Sequence, residues 1–271
     1  MKDNQFPLTV AIIVKNEERR LEECLASVSW ASEIVILDDM STDRTVEIAK
    51  KYTDKIFQRP MDIEGRQRNF AYSKASNEWV LSIDADERVT PELCAEIEKT
   101  LSANSGEYTA YAIPIKTFLG KRWIKGGGYY PARKLRLFKK EKFRYEEARV
   151  HPRVFLEGKC GELNGDILHY SWRNLSDFLN KFNRETSLEA EKWILDRRKV
   201  SLPNTLRKFV DRFLKNYFLK RGWKDGFPGF LMSFFHSLYQ LISYAKYYEI
   251  KKGIASTERE TNVESRKNSL H

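Results

Sequence analysis

Two aspartates separated by one residue carry the clearest chemical signal in the sequence. Asp84 and Asp86 follow Trp79–Ile83, a short apolar run of the kind that forms a buried strand. Two carboxylates at this spacing, where a strand gives way to a loop, can both approach one hard cation. Mg²⁺ and Mn²⁺ prefer such ligands and readily bridge to phosphate oxygens. The pattern therefore predicts a metal site, with a pair of loop acids or helix caps as the alternative.

A second acidic group, Asp38 and Asp39, follows another apolar run, Glu33–Leu37. One of these carboxylates can accept a hydrogen bond from an imide N–H or a ribose hydroxyl of a ligand. The alternative is that the acids serve only as caps for the helix that begins near Asp43. Further along, Gly65–Asn69 places a glycine and basic residues at the start of a predicted helix, which suits an anion.

Alternating strands and helices are predicted to hold these residues at one edge of a sheet. The predicted strands are Leu8–Val14, Glu33–Leu37, Lys55–Gln58 and Trp79–Ile83. The predicted helices are Glu17–Ser29, 43–52, 66–76 and 90–101. This alternation is typical of βαβ units around a mainly parallel sheet, on which ligands bind at the carboxyl ends of the strands. The aspartates stand at those ends.

After residue 105 the pattern changes. Longer strands are predicted at Tyr108–Phe118 and Leu135–Phe138, followed by helices at 176–196, 205–219 and 231–249. We therefore predict an α/β fold with a C-terminal helical appendage. The appendage is a helical, basic region over residues 171–252, and residues 253–271 are expected to form a flexible tail.

Four segments, in this order, resemble the nucleotide-sugar domain of family 2 glycosyltransferases, which has the GT-A fold. The segments are Val10–Glu17, Ile36–Asp43, Gly65–Asn69 and Ser82–Glu87. The resemblance covers residues 6–115 and implies a GT-A domain over residues 1–170, with an acceptor part over 116–170. It also implies transfer of a sugar from a nucleotide carrier, with a divalent metal (Mg²⁺ or Mn²⁺) as cofactor.

The resemblance further implies how individual side chains contact the donor. Asp38 would bind the uracil base, Asp84 would face the ribose, and Asp86 would hold the metal. Arg68 would lie near the base or the phosphates. Family 2 enzymes sometimes use a histidine well after the two aspartates as a further metal ligand, which makes His169 the candidate.

By the same resemblance, the end of the first predicted strand lies close to the nucleotide. Val14 and Asn16 would lie near the nucleotide. Lys15 departs from the family pattern, in which a Tyr or Phe is common at this point. The sequence therefore offers no aromatic ring there to stack on the base.

A looser resemblance over residues 128–250 indicates a bacterial branch that includes lipopolysaccharide-core β-1,4-glucosyltransferases. The matching segments are Arg133–Phe138, Val150–Pro152, Leu168–Tyr170 and Gly222–Gly226. It implies a UDP-sugar donor with glucose as the favoured hexose, and a glycan or glycolipid acceptor of the cell envelope such as lipopolysaccharide core. Members commonly have His-Glu where this chain has His151-Pro152, so the glutamate that would be the candidate base is absent.

An inverting transfer needs charge neutralisation of the leaving diphosphate and a base for the acceptor hydroxyl. Arg133 and Arg136 can assist the metal through charge-assisted hydrogen bonds. Glu146, Glu147 and His151 are the candidates for the base near residue 150. We predict catalytic roles for Glu147 and His151, with Glu147 as the favoured base.

Positive charge is concentrated in two parts of the chain. Its 271 residues include 48 Lys and Arg against 38 Asp and Glu, a formal net charge of +10. Residues 115–160 alone carry a net +10 and residues 197–224 a net +9. The second block, followed by an aromatic-rich helix, suits an anionic membrane surface, and a solvated basic face is the alternative.

Several other classes fit the sequence less well. A hydrophobic content of 41% excludes a disordered chain, and the absence of nucleic-acid-binding motifs argues against a nucleic-acid partner. A sugar-nucleotidyltransferase, which would carry a glycine-rich loop after the first strand, and a non-catalytic glycosyltransferase-like module stay as alternatives. Three scattered cysteines and no signal-peptide pattern predict a cytoplasmic protein, with peripheral contact at the inner face of the cytoplasmic membrane left open.

Overall fold

The computed structural model describes residues 6–103, 106–147 and 153–254. The chain divides into two compact units. The first unit comprises Met1–Trp123 and Tyr129–Ser171. The second unit comprises Ile124–Gly128 and Trp172–His271.

Strands occupy much of the first unit. In chain order they are β1 (Phe6–Val14), β2 (Ala31–Asp38), β3 (Ile56–Gln58), β4 (Trp79–Asp84), β5 (Glu87–Val89), β6 (Ala110–Leu119), β7 (Arg122–Ile124), β8 (Ala132–Lys139), β9 (Phe143–Tyr145), β10 (Val154–Leu156), β11 (Cys160–Glu162) and β12 (Ile167–Trp172).

The helices of the first unit cover its sheet, and those of the second unit follow one another along the chain. They are α1 (Leu21–Ser27), α2 (Thr45–Ala49), α3 (Glu64–Ser73), α4 (Pro91–Ser102), α5 (Leu175–Leu195), α6 (Leu202–Leu214) and α7 (Phe227–Lys251). A π-helical turn, Lys215–Leu219, continues α6, and a 3₁₀ turn, Gly222–Asp225, precedes α7.

One mixed sheet organises the first unit. Its path through the described residues is β3-β2-β1-β4-β8-β6-β12-β5, with β7 and β11 paired to β6. The pairs β1–β2, β1–β4 and β2–β3 are parallel, whereas β8 runs antiparallel to β4 and β6, and β12 antiparallel to β5. The predicted α/β class is confirmed, and the predicted parallel arrangement describes the first four strands of this path.

Both faces of β1 are buried, as expected for a strand inside a parallel sheet. Val10 and Ile12 join the larger apolar cluster, which includes Leu25 of α1, while Ala11 joins a smaller cluster with Tyr72 of α3. Burial of each aliphatic side chain contributes roughly 1.5–3 kcal/mol. The parallel strands are therefore fixed firmly, and so are the residues at their carboxyl ends.

Aromatic contacts hold the three helices of the second unit together. Trp193 of α5 packs with Tyr247 of α7 around the buried Ala190. The rings of Phe209 on α6 and Phe234 on α7 are 5.9 Å apart. None of the described helices combines the length and the apolar content that a membrane crossing requires.

The predicted helix Glu17–Ser29 begins later than its apolar spacing indicates. The α1 helix starts at Leu21, and the backbone before it is bonded to the start of α2 and the loop that precedes it. The Glu17 N–H donates to Thr45 Oγ1 at 2.7 Å, and the Glu18 N–H donates to Asp43 Oδ2 at 3.2 Å. Asp43 thus ties two loops together at the carboxyl edge of the sheet.

Candidate active site

The carboxyl ends of β2 and β4 bring Asp38 and Asp84 to either side of β1. In the parallel ladders, Val14 stands opposite Asp38 and Ile13 opposite Asp84. Asp86 follows in the turn between β4 and β5. The acids singled out in the sequence therefore lie at one edge of the sheet, where open α/β folds bind ligands.

Asp38 is fully buried. One of its carboxylate oxygens accepts hydrogen bonds, and the other accepts none from the described residues. Its Oδ2 accepts hydrogen bonds from the Ser41 N–H at 3.0 Å and from Gln58 Nε2 at 2.9 Å. Its Oδ1 is shielded from solvent and has no hydrogen-bond partner among the described residues. An unsatisfied buried oxygen is costly, and a ligand N–H or O–H would satisfy it.

Asn16 holds the loop that follows β2. Its φ of 53° lies in the left-handed region, which asparagine tolerates. Its N–H donates to Ser41 Oγ at 2.8 Å, and its Oδ1 accepts the Thr42 N–H at 2.9 Å. Val14 is buried, and its carbonyl oxygen accepts the Asp39 N–H at 2.8 Å. Both residues thus hold the loop that follows Asp38 in place.

Lys15 has a structural partner at the position where an aromatic residue is common. Its Nζ lies 2.8 Å from Asp39 Oδ2. The other oxygen of Asp39 accepts the Met61 N–H at 2.7 Å. The pair therefore connects the end of β1 to the loops that follow β2 and β3.

Asp84 belongs to a network of two carboxylates and two guanidinium groups. Arg136 Nη2 lies 2.8 Å from Asp84 Oδ2 and 2.5 Å from Glu87 Oε1. On the other side, Arg68 Nη2 lies 3.2 Å from Asp84 Oδ1. Glu87 is fully buried, and its Oε2 also accepts the Asp84 N–H at 2.9 Å. The network fixes both the carboxylate of Asp84 and the start of the turn that carries Asp86.

The charges in this network stabilise one another. Burial alone would raise the pKa of the Asp84 carboxyl, but Arg136 and then Arg68 hold this pKa well below its usual range. Burial alone would lower the pKa of Arg136, but Glu87 and Asp84 raise it above the usual value for arginine. Asp84 is therefore an anion and Arg136 a cation at neutral pH.

Asp86 faces a histidine and an arginine. Its Oδ2 lies 3.4 Å from His169 Nε2 and 3.4 Å from Arg20 Nη1. The antiparallel ladder of β12 and β5 sets His169 opposite Glu87. The Nδ1 of His169 is 2.9 Å from Ser171 Oγ. This serine is therefore hydrogen-bonded to the ring nitrogen that does not face Asp86.

The donors of Asp86 and His169 fit a divalent cation. Carboxylate oxygen suits Mg²⁺, and carboxylate oxygen with imidazole nitrogen suits Mn²⁺. Neighbouring ligands of an octahedral ion with bonds of about 2.1 Å are about 3 Å apart, close to the observed Oδ2–Nε2 separation. Within the described ranges no cluster of three or more His, Cys, Asp or Glu side chains could hold a metal. The two donors would thus leave positions for ligand oxygens.

Two predicted residues are not part of this cluster. The guanidinium of Arg133 donates to the Leu163 carbonyl and pairs with Glu162 at 3.1 Å. Glu147 is 55% exposed, and its Oε2 accepts hydrogen bonds from Arg66 at 3.0 and 3.1 Å. His151 lies outside the described residues, so its predicted role and that of Glu147 stay predictions.

Comparison with known proteins identifies the family. The sequence model of "Glycosyl transferase family 2" matches residues 9–156, more than half of the chain. The chain belongs to glycosyltransferase family 2. The predicted resemblance, the GT-A fold and the glycosyltransferase activity are thereby confirmed, and the sugar-nucleotidyltransferase alternative is wrong.

Relatives of this glycosyltransferase align along nearly the whole chain. An uncharacterized glycosyltransferase of Rickettsia typhi is 32% identical over 255 residues, covering 90% of this chain and 87% of the relative. The lipopolysaccharide core biosynthesis glycosyltransferase LpsC of Rhizobium meliloti is 29% identical over 257 residues, covering 90% of this chain and 93% of its own. Similarity to these relatives therefore extends into the C-terminal helices.

Solved structures resemble the glycosyltransferase more distantly. TarS of S. aureus (residues 1–349) aligns with a TM-score of 0.45 at 15% identity, covering 92% of each chain. Glucosyl-3-phosphoglycerate synthase from Mycobacterium tuberculosis, in complex with Mg²⁺ and UDP, aligns with a TM-score of 0.44 at 16% identity, covering 63% of this chain and 73% of its own.

The structure of the glycosyltransferase adds residues that the sequence analysis did not select. Glu87 was visible as the residue after the two aspartates, but its burial against Arg136 was not. Arg20 lies in a run of charged residues, and only the fold brings it to Asp86. Gln58 ends a three-residue strand and reaches Asp38. Each was hidden because its partner is distant in sequence.

Proposed function

We propose that this family 2 glycosyltransferase moves a hexose, with glucose favoured, from a UDP-sugar to a cell-envelope glycan such as lipopolysaccharide core, with inversion and with a divalent metal. The observation that carries the donor assignment is the buried Oδ1 of Asp38, which has no hydrogen-bond partner among the described residues, at the same sheet edge as Asp84 and Asp86. The name of the relative LpsC supports the acceptor class.

Uracil fits Asp38 because its N3–H is a hydrogen-bond donor. The Oδ2 of Asp38 already accepts two hydrogen bonds, so Oδ1, which has no partner among the described residues, is the oxygen left to accept from the base. Cytosine carries an acceptor at the same ring position. Its N3 lone pair would therefore face a lone pair of the carboxylate oxygen, and the two would repel each other. The site therefore favours a uridine carrier over a cytidine carrier.

Asp84 suits the ribose of the same carrier. The low pKa of this carboxyl keeps it an acceptor at all physiological pH values. Arg68 and Arg136 fix its orientation, so a ribose hydroxyl would meet a prepositioned oxygen. In this proposal both arginines orient Asp84 rather than bind the diphosphate directly.

Asp86 and His169 are the proposed metal ligands. A bound Mg²⁺ or Mn²⁺ would supply Lewis-acid stabilisation of the negative charge that develops on the leaving UDP. Asp86 would provide the carboxylate and His169 its Nε2, with Ser171 Oγ on Nδ1 fixing the ring. Arg20, which lies 3.4 Å from Asp86, adds a second positive charge at this edge.

Inversion requires a base on the face of the sugar opposite the leaving group. Glu147 is the favoured group and would accept the proton of the acceptor hydroxyl. Its carboxylate is currently bound by Arg66, which also pairs with Asp62 at 2.6 Å. Proton acceptance by Glu147 therefore requires the acceptor to displace or share Arg66.

Calorimetric titration with nucleotides tests the donor site. We expect UDP to bind in Mn²⁺ and to bind at least about tenfold more weakly in EDTA. Asp38→Asn should weaken UDP binding by a similar factor, because an amide cannot accept from Ser41, Gln58 and the base together. The matched control is Asp54→Asn, an exposed change at the opposite edge of the sheet. Equal affinity for UDP and CDP would contradict the assignment.

Product analysis tests the transfer itself. Incubation with UDP-glucose and a lipopolysaccharide-core acceptor should give a β-linked product by NMR, because UDP-glucose is an α-glycoside and inversion changes the anomer. Glu147→Gln should lower turnover by about 10²-fold or more while UDP affinity is kept. An α-linked product would contradict inversion, and UDP binding without transfer to any acceptor would leave a non-catalytic module.

A further inference from the structure

The connection between α6 and α7 exposes large apolar side chains. The turn surface consists of Leu214, Phe218, Leu219, Trp223, Phe227 and Phe230, each of which is at least 39% exposed. Phe227 and Leu219 reach 73% and 80%. Single exposed apolar residues are common, but a group of six within 17 residues, four of them aromatic, marks an interaction site.

Ring contacts connect three of the aromatic side chains of this turn surface. The ring of Tyr217 is 5.0 Å from that of Phe218 and 5.8 Å from that of Phe230. Phe230 in turn stacks on Phe227 at 6.5 Å. Phe218, Phe227 and Phe230 are therefore joined into one aromatic patch through Tyr217.

The scaffold of the turn surface is well defined. A Cβ on Gly229 would come within 2.0 Å of the Gly222 carbonyl oxygen, so the two backbone segments touch. Asp225 is buried, and its Oδ2 accepts the N–H groups of Lys125 and Gly126 at 2.9 and 2.6 Å. The apolar side chains thus project from a packed turn, not from a loose loop.

Four cations surround these apolar side chains. Lys215, Lys220, Arg221 and Lys224 lie between the apolar positions, and the ammonium of Lys224 is 5.6 Å from the Trp223 ring. None of the four forms an ion pair with another described residue. The single acid of the stretch is the buried Asp225. The exposed charge of the turn surface is therefore purely positive.

The exposed apolar character continues along α6. Leu202, Leu206 and Val210 are 43–51% exposed and follow one another at intervals of four up to Leu214. Side chains four apart share a helix face, so the stripe leads along the helix to the turn surface. The opposite side of α6, with Phe209 and Phe213, packs on α7.

We propose that the turn surface binds an anionic lipid bilayer, with its aromatic side chains in the interface and its four cations against the headgroups. Aromatic and aliphatic side chains flanked by Lys and Arg are the composition that such surfaces bind. A second copy of the chain would bring four cations against four cations, which disfavours self-association. The inference concerns the membrane and does not depend on the identity of the donor.

Flotation of the full chain with vesicles tests this surface. We expect binding to phosphatidylcholine vesicles that contain phosphatidylglycerol, and little binding to phosphatidylcholine alone. Phe218→Ser with Phe227→Ser should weaken binding about tenfold or more. The control, Leu195→Ser with Ile254→Ser, removes two equally exposed side chains elsewhere in the second unit and should bind as wild type.

Two further measurements test the cations of the turn surface and the position of Trp223 relative to the lipid. Lys215→Gln with Lys224→Gln should weaken vesicle binding about 25-fold, since each cation near an anionic surface contributes about a fivefold factor. Brominated lipid should quench tryptophan fluorescence in the wild type and do so less in Trp223→Phe.

The proposal is overturned if the wild type does not bind anionic vesicles. It is overturned as well if Phe218→Ser with Phe227→Ser binds them as strongly as the control, Leu195→Ser with Ile254→Ser. It is also overturned if sedimentation shows a wild-type dimer that Phe218→Ser with Phe227→Ser makes monomeric, which would assign the surface to a second copy. UDP titration of each variant separates the two proposals. If the protein binds UDP but not vesicles, the membrane proposal is wrong and the donor assignment is unaffected.

Discussion

Glu87 is the residue on which the geometry of Asp84 depends most directly. Its two oxygens hold Arg136 and the Asp84 N–H, and no part of it is exposed. Arg136 is a buried cation shared between Glu87 and Asp84. Without the charge of Glu87, Arg136 would have one anionic partner and would draw Asp84 out of position.

Glu87→Gln is therefore expected to act on stability and on donor binding together. Removal of one partner of a buried charge pair costs roughly 3–5 kcal/mol of unfolding free energy. We expect a loss of about this size in urea unfolding and a weakening of UDP binding in calorimetry. The control is Glu78→Gln, whose exposed pair with Lys139 should contribute less than about 1 kcal/mol. If Glu87→Gln had the wild-type free energy of unfolding, the network would not contribute to stability.

His169 allows the metal assignment to be tested separately from the nucleotide. His169→Ala should lower Mn²⁺ affinity by about tenfold or more, measured by electron paramagnetic resonance, while UDP binding in EDTA stays at the wild-type value. Ser171→Ala should have a smaller effect, because it removes only the partner of Nδ1. His236→Ala in α7 is the matched control. Unchanged Mn²⁺ affinity in His169→Ala would contradict this ligand.

At the scale of elements, the connection of α6 to α7 depends on close backbone approach. A methyl group on Gly229 would overlap the Gly222 carbonyl, and a Cβ on Gly222 would lie 2.6 Å from Ser233 Oγ. These small residues permit the turn that carries Trp223 and Phe227. The aromatic pairs of α6 and α7 then fix the two helices against each other.

Gly229→Ala is expected to disturb this connection. Overpacking against backbone atoms costs about 1–3 kcal/mol, and here the overlap is with a carbonyl that cannot rotate away. We expect a loss of at least about 2 kcal/mol in unfolding free energy. Ala245→Ser, an exposed change on the same helix, should cost less than about 0.5 kcal/mol. Equal stability of the two variants would show that the turn relaxes freely.

Elements with strong periodicity were the ones the sequence predicted well. The strand ending at Val14, the helix that starts after Thr90, and the two aspartates after β4 are local patterns with local causes. The three-residue strands β5 and β11 were not predicted, because each is too short for a local pattern and pairs with a strand distant in sequence, β12 or β6. For the same reason Glu87 and Arg20 could not be assigned before the fold placed their partners.

At the scale of the whole molecule, both edges of the sheet carry carboxylates that the fold makes more acidic. Asp84 stands at the carboxyl edge beside two arginines. Glu33 stands near the amino end of β2, where its Oε2 accepts hydrogen bonds from Thr9 Oγ1 at 2.5 Å and the Ser76 N–H at 2.7 Å, and Lys55 contacts its other oxygen. Glu33 thus links β1, β2 and the segments after α2 and α3.

The stability of the protein is therefore expected to fall in acid. Burial would raise the pKa of Glu33, but hydrogen bonds from Lys55, Thr9 and Ser76 lower this pKa from 4.5 to about 2. A group whose pKa is lowered by folding binds protons more readily in the unfolded chain. Its contribution is complete above about pH 4.5 and is lost as the pH falls towards about 2. The lowered pKa of Asp84 acts in the same direction.

Urea unfolding at a series of pH values separates the two edges. In the wild type, the unfolding free energy should decline steadily between about pH 4.5 and pH 2. Glu33→Gln should start from a lower value at pH 7 and decline less, because its amide does not titrate, whereas the exposed change Glu47→Gln should follow the wild-type curve. UDP binding at pH 7 should be equal in both variants, since Glu33 lies at the edge opposite Asp38. A decline in Glu33→Gln as steep as in the wild type would contradict the role of Glu33 in the acid sensitivity.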